Sequence, residues 1–404
     1  MRSSWVDGAA GSGFDADHLP YGVFSQGAEP PRVGVPIGSS VLDLAPLAAT
    51  AYDAHAGLFA EPTLNPFLAT GPEVWAAIRA WLQGMLTDPA AAAEVEPHLV
   101  PASEVTLHLP FEVADYVDFY ASLDHASNVG RILRPDSEPL LPNWRHLPVG
   151  YHGRSGTVVV SGTDVRRPHG QRKAPGDDAP SFGPTRRLDI EAELGFVVGV
   201  PTALGTAVPT SAFADHVFGV VGLNDWSARD IQGWEYVPLG PFLGKSFATS
   251  VSAWVTPLAA LSSARCPLPG QDPRPLPYLA VDEPAGFDIE AAVELNGSVV
   301  ARPPYSSMYW SPAQMLAHLT VNGASLRTGD LFASGTISGP AREERGSFLE
   351  LSWGGAEPFV AGEDQRAFLE DGDEVVLRYE APGELSRITL GEVRGRVLPP
   401  FSRG

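Results

Sequence analysis

Asn224 to Ser250, NDWSARDIQGWEYVPLGPFLGKSFATS, places Asp225, Arg229, Asp230, Gln232, Tyr236, Lys245 and Thr249 within 25 residues, among glycines, prolines and aromatics. A solvated loop would hold less Trp, Phe and Leu. A core segment would not hold Asp, Arg and Lys together unless they were paired, because an unpaired buried charge is very costly. The stretch is either a set of reactive groups held on a loop by apolar anchors or an ion-pair network that only fixes the loop. A second concentration of charge is Leu188-Asp-Ile-Glu-Ala-Glu-Leu-Gly-Phe-Val-Val198. Strand side chains alternate faces, so Asp189, Glu191 and Glu193 line one face and Leu188, Ile190, Ala192 and Leu194 the other. This could be a half-buried strand with an acidic solvent face. Two unit charges about 4 Å apart nevertheless repel by roughly 4 kcal/mol at an effective dielectric of about 20, a penalty that a divalent cation would remove. Carboxylates with no thiolate among them suit a hard cation such as Mg²⁺ or Ca²⁺. Lys245 and Arg229 beside it would suit an oxyanion that develops during reaction.

These groups need elements to position them. The apolar run Phe218-Gly-Val-Val-Gly-Leu223 predicts a buried strand that delivers Asp225. If Asp115 to Gly130 is helical, Asp118, Ser122 and His125 share one face. Alone, such a histidine would be a surface residue, so its weight depends on partners elsewhere. Leu141 to Arg154 is an aromatic, basic loop, and Gly170 to Pro184 an exposed excursion rich in Pro, Gly and charge. Ser311-Pro-Ala-Gln314 is a capping-box pattern that starts a helix through Leu319. Gly346-Ser-Phe-Leu-Glu-Leu-Ser-Trp353 alternates as a strand would, with Glu350 on the Phe348/Ser352 face. Upstream, Tyr21–Phe24, Arg32–Ile37 and Ser40–Leu44 predict short strands of a small barrel or sheet. Val74, Ile78, Trp81, Leu82 and Met85 fall at helical spacing. The Ala- and Pro-rich stretch from Asp88 to Pro101 is expected to be a linker. Nothing in this N-terminal part has catalytic spacing.

At roughly 150 residues per domain, 404 residues predict two or three domains. High Gly (42) and Pro (39) point to many turns and a β-rich build. A net charge of −21 argues against nucleic acid and anionic membranes as partners. From His125 to Arg187 the balance reverses, with ten Lys/Arg against five Asp/Glu. That is either a solvated surface or a funnel for a small anionic substrate. Cys266 is the sole cysteine, so neither an internal disulfide nor a cysteine metal cluster can form. The chain lacks an 18-residue apolar run, and its N-terminus does not read as a signal peptide, so a cytoplasmic location is expected. It has no P-loop, dinucleotide glycine fingerprint or internal repeat.

The segments DFYASLDHASNVG, LLPNWRHLPVGYHGR, LDIEAELGFVVG, NDWSARDIQGWEYVPLGPFLGKSFATS, LRTGDLFASGTISGP and GSFLELSW occur in that order. Together with PYGVFS, RVGVPIG and LDL near the N-terminus, they resemble the fumarylacetoacetase family, from about Leu19 to Leu398. The resemblance implies a mainly β protein with some α. A small N-terminal SH3-like barrel (residues 1–110) would precede a large mixed-β catalytic domain (residues 111–404), in a homodimer. It implies hydrolysis of a carbon–carbon bond in a dicarboxylate 1,3-diketone, giving fumarate and acetoacetate. By matching motif, Asp118, Glu191, Glu193 and Asp225 would bind the divalent cation, Mg²⁺ or Ca²⁺. Lys245 and Thr249 would be linked to a second, structural cation or its waters. Asp189 is not among the family's ligands. His125 would be the general base, and Glu350 the acid that orients it. Arg229, Gln232 and Lys245 would surround the oxyanion, and Tyr120, Arg134, Tyr151, Gln232, Tyr236 and Thr336 would contact substrate. A related enzyme acting on acylpyruvates would keep the acids and differ in the substrate contacts. A non-catalytic carboxylate-binding protein would need neither His125 nor Glu350.

Overall fold

The computed structural model describes residues 2–52, 55–174 and 176–402. The β-branched N-terminal runs form β1 (Tyr21–Gln26), β2 (Arg32–Ile37) and β3 (Ser40–Asp43), an antiparallel meander. Helix α1 (Pro72–Thr87) begins on a proline, whose missing N–H costs nothing there, and buries Ile78, Leu82 and Leu86 at helical spacing. The stretch expected to be a linker is folded. Asp88 caps a 3₁₀ turn, Ala92–Val95 forms a helical turn that buries Val95, and β4 (Leu99–Pro101) pairs with β3. Composition pointed to a linker, but one apolar anchor and one cap suffice to fix so short a segment.

The remaining chain supplies β5 (Tyr116–Phe119), α2 (Leu123–Leu133), β6 (Gly150–His152), β7 (Ala192–Val198), β8 (Val217–Asp225), α3 (Arg229–Glu235), β9 (Thr249–Val251), β10 (Trp254–Pro257) and β11 (Glu290–Leu295). It ends with α4 (Pro312–Thr320), β12 (Leu331–Ala333), α5 (Phe348–Leu351), β13 (Glu374–Pro382) and β14 (Arg387–Leu398). One large mixed sheet runs in the order β4-β3-β2-β1-β10-β8-β7-β12-β5-β6, so the N-terminal meander is continuous with the central strands. A second sheet holds β11, β13 and β14.

The predicted strand at Phe218–Leu223 is present, and both faces of β7 and β8 are buried. Leu194, Phe196, Val198 and Val220 pack with Trp310, Phe332 and Tyr379 on one side. Val197, Val221 and Leu223 pack with Val23, Val33, Ile37, Ile78 and Leu82 on the other. The N-terminal unit thus covers one face of the sheet that carries Glu193.

Four expectations change. Leu188 to Val198 is not one continuous strand: Leu188–Asp189 pairs with Ser227–Ala228, Glu191 makes a single bridge to Ser347, and β7 begins at Ala192. Its acidic face is buried rather than solvated. Asp118 and His125 do not share a helix. Asp118 lies on β5, and Ser122 is the N-cap of α2, its Oγ accepting from the His125 N–H at 3.2 Å. Glu350 lies on the short helix α5, because Ser347 caps that turn. Gly170 to Pro184 includes a β-hairpin, His169–Arg172 against Ser181–Pro184, with exposed residues at its far end.

Candidate active site

Register brings the acids together. β7 and β8 are antiparallel, with Ala192 opposite Asn224 and Glu193 opposite Leu223. The same register sets Glu191 against Asp225, whose N–H donates to the Glu191 carbonyl at 3.2 Å. Opposite residues of an antiparallel pair share a face, so Glu191, Glu193 and Asp225 project together. Asp118 joins them from β5, which runs parallel to β12, itself paired with β7. One carboxylate oxygen from each of the four lies within 4.8 Å of the others. All four side chains are buried.

Two cations flank this cluster. Lys245 Nζ donates to Glu191 Oε2 and Asp225 Oδ2, each at 2.5 Å. Arg229 donates through Nη1 to Glu191 Oε1 at 2.7 Å and through Nε to Asp189 Oδ2 at 2.7 Å. An ammonium has no lone pair to offer a cation, so the geometry gives Lys245 the part of a counter-charge. Thr249 stands directly across the ladder from Asp225.

The charges do not balance within the chain. Four carboxylates face two cations, and Arg229 is shared with Asp189. Burial raises the Asp118 carboxyl pKa well above its ordinary range, and the charge of Asp225 adds to it. Burial does the same to Glu193, with Asp118 next in effect. For Asp225, burial outweighs Lys245 and the shift is again upward. At Glu191 burial is overcome by Lys245 and then Arg229, which hold its carboxyl below the usual range. Both Glu193 oxygens, Asp118 Oδ1 and Asp225 Oδ1 are buried with no hydrogen-bond partner among the described residues. Buried acceptors without donors are costly. An all-oxygen set with these orphaned lone pairs fits a hard divalent cation.

Beside the acids lies a histidine–carboxylate pair. His125 Nδ1 is 2.6 Å from Glu350 Oε2. Glu350 is fully buried and also accepts from Asn128 Nδ2 at 3.0 Å, Ser338 Oγ at 2.9 Å and Ser347 Oγ at 2.8 Å. Burial works to raise its pKa, but His125 and the hydrogen bonds from Asn128 and Ser347 hold it low. An ionised Glu350 accepts from Nδ1, so in the neutral imidazole the proton sits on Nδ1 and the Nε2 lone pair is free. Nε2 faces the cluster, 4.0 Å from Glu191 Oε1.

The other sequence candidates spread around this centre. The Tyr120 ring meets His125 edge-on at 5.3 Å between centroids. Tyr151 lies opposite Asp118 across the β5–β6 ladder and donates to Asp225 Oδ2 at 3.1 Å. Gln232 Oε1 accepts from Arg229 Nη1 at 3.1 Å. Thr336 is buried, with no partner for its hydroxyl among the described residues. Tyr236 caps the C-terminus of α3, and Arg134 caps that of α2 while donating to the Pro139 carbonyl at 3.0 Å. No direct bond from Tyr236 or Arg134 to the acids is seen among the described residues. A cavity of about 100 Å³ opens on Asp225, Lys245 and Thr249, lined further by Tyr116, Tyr151 and Phe242. A larger apolar cleft of about 590 Å³, between α1 and the segment after β10, holds none of the four acids.

Asn128, Ser338 and Ser347 were not among the expected site residues. Two had a signal. Ser347-Phe-Leu-Glu350 is itself an S-x-x-E cap pattern, and Asn128 lies three residues after His125 on the same helical face.

Residues 17–110 match the family model "Fumarylacetoacetase N-terminal", and residues 115–398 match "Fumarylacetoacetate (FAA) hydrolase C-terminal". The fumarylacetoacetase of Homo sapiens is 47% identical over 413 residues, spanning 98% of this chain and 99% of that protein. That of Caenorhabditis elegans is also 47% identical, with 98% and 99% covered. That of Arabidopsis thaliana is 42% identical, with 99% of each covered. Among solved structures, a fumarylacetoacetate hydrolase from psychrophilic Exiguobacterium antarcticum shares the fold, with a TM-score of 0.55 at 17% identity over 94% of this chain and 99% of that one. A full-length match at this identity, spanning both family models, establishes that this chain belongs to the fumarylacetoacetase family.

Proposed function

We propose that this chain hydrolyses fumarylacetoacetate to fumarate and acetoacetate at the centre formed by His125, Glu350 and the four buried acids. This is the last step of tyrosine and phenylalanine breakdown. The observation that carries the reading is the His125–Glu350 pair, whose free Nε2 faces the carboxylate cluster. Binding alone would need neither a base nor a group that orients it.

Asp118, Glu191, Glu193 and Asp225 would hold a divalent cation, Mg²⁺ or Ca²⁺. When bound, it would polarise the diketone and stabilise enolate charge. Glu350 keeps the proton on His125 Nδ1, so Nε2 takes a proton from water as the oxygen attacks the ketone carbon of the fumaryl group itself, which becomes a carboxyl of fumarate. The oxyanion that forms lies within reach of Lys245, Arg229 and Gln232, whose charges and dipoles are already in place. Collapse breaks the carbon–carbon bond, and the electron pair leaves on the acetoacetate carbon as an enolate. The imidazolium of His125 returns the proton, so one water is consumed and both products are released. Tyr120, Arg134, Tyr151, Tyr236 and Thr336 are assigned to substrate contact, with Arg134 facing a carboxylate. Thr249 is assigned to a second, structural cation or its waters.

The same reading takes residues 1–110 and 111–404 as the two domains, supported by the seam between the two matched family segments. A homodimer and a cytoplasmic location belong to it by family likeness. Among the described residues, no helix is long and apolar enough to cross a membrane. The test is product analysis with purified protein, offering fumarylacetoacetate and an acylpyruvate separately. Fumarate and acetoacetate in equal amounts from the first support the reading. Cleavage of the acylpyruvate alone would replace it with the related activity.

A further inference from the structure

We infer that Asp189 is a positioning residue that ties Arg229 and the Glu350-bearing turn into one unit. It thereby holds the oxyanion-binding guanidinium in register with the general base. The roles it connects rest on the function proposed above.

Asp189 is fully buried and stands apart from the four clustered acids. Its Oδ1 accepts from the backbone N–H of Ile190 at 2.8 Å and of Phe348 at 2.8 Å. Its Oδ2 accepts from Arg229 Nε at 2.7 Å and from the Leu349 N–H at 3.0 Å. Phe348 and Leu349 immediately precede Glu350 in α5, and Arg229 opens α3. One carboxylate therefore spans two elements that approach the centre from different parts of the sequence. The backbone adds to the tie: Asp189 pairs with Ser227, and the Arg229 N–H donates to the Arg187 carbonyl at 2.9 Å. Arg229 is thus held at Nε while Nη1 reaches Glu191.

All four partners of Asp189 are donors that cannot accept. Asparagine has nearly the same shape but one acceptor oxygen. Its NH₂ must oppose two N–H groups whichever way the amide is turned. Asp189→Asn should therefore keep the volume and lose the alignment. Supporting groups of this kind are typically worth about 10–100-fold in activity. The expected result is a kcat lowered about 10–100-fold, with KM and the calorimetric dissociation constant for Mg²⁺ each changed less than about threefold. Arg229→Lys keeps a cation beside Glu191 but lacks the second prong that reaches Asp189. In that background Asp189→Asn should cost less than about threefold more, because coupled residues do not add. Unchanged kcat per folded site, or full multiplication of the two losses, would overturn the inference.

If Asp189→Asn does not fold, Asp189→Glu keeps the charge and moves the carboxylate by one methylene. The same separation of kcat from KM is then expected, and wild-type kcat overturns it. The wild-type control separates this test from the proposed function, since absence of fumarylacetoacetate cleavage there sinks the function itself. A readout free of activity remains. The imidazole ¹⁵N signals of His125, identified by their loss in His125→Ala, should move in the Asp189 variant. Unmoved signals would leave Asp189 as packing only.

Discussion

At the scale of single residues, the centre is defined by which buried groups have partners and which lack them. Glu350 accepts four donors, counting His125, whereas Glu193 receives none among the described residues. The first pattern is that of a group that would orient a base, and the second fits a hard cation. His125→Ala should lower kcat by about 10²–10⁴-fold or more and leave calorimetric binding of Mg²⁺ within about threefold of wild type. Full activity in that variant would remove His125 from the mechanism. The residues that gather here, the four acids and the His125–Glu350 pair, were named from the sequence through motif likeness. Composition alone left an ion-pair network open, and such a network is in fact present: Lys245 and Arg229 are both bonded to Glu191. The meeting of Asn128 with Glu350 was missed because a buried hydrogen bond between residues far apart in sequence leaves no periodic trace. Asn128 and Glu350 are 222 positions apart.

At the scale of elements, periodicity gave the long pieces and failed where a cap decided the outcome. Helices α1 and α4 and strand β8 are where spacing places them. The alternation in Gly346–Trp353 reads as a strand, yet the Ser347 side chain accepts from the Glu350 N–H at 3.4 Å and turns the chain into α5. Without that turn Glu350 would not meet His125. The capping box of α4 offers a clean test of the same physics away from the acids. Ser311 Oγ accepts from the Gln314 N–H at 3.2 Å, and Gln314 Oε1 accepts from the Ser311 N–H at 3.0 Å. Ser311→Ala should cost about 0.5–2 kcal/mol in denaturant unfolding while kcat stays at the wild-type value. A large fall in kcat at unchanged stability would mean that α4 contributes to the site.

At the scale of the whole molecule, the N-terminal unit is bound to the rest through a shared sheet and a shared core. Sequence showed its strands and helix but not that β1 joins β10, because pairing between residues over 200 positions apart is not encoded locally. His18 sits at this junction, fully buried. Its Nδ1 is 2.9 Å from the Gly13 carbonyl and its Nε2 2.9 Å from Thr256 Oγ1. The carbonyl can only accept, so Nδ1 carries the proton and Nε2 accepts from the threonine. Burial lowers the His18 pKa from 6.5 to about 3. The folded state holds it neutral, while the unfolded chain takes up a proton below pH 6.5. Its contribution is therefore complete above pH 6.5 and is lost as pH falls towards 3, at up to about 1.4 kcal/mol per pH unit. Denaturant unfolding between pH 6.5 and 4 should show a steeper loss in wild type than in His18→Gln. Parallel slopes would mean that His18 is not held neutral.

The central claim is that Asp118, Glu191, Glu193 and Asp225 hold a divalent cation on which carbon–carbon cleavage depends. It is tested most directly by following the ultraviolet absorbance of fumarylacetoacetate with protein stripped by a chelator, then resupplied with Mg²⁺ or Ca²⁺. The stripped protein should leave the absorbance nearly constant, and the restored protein should remove it rapidly, with fumarate and acetoacetate as products. Undiminished turnover by protein shown to be free of divalent metal would contradict the account.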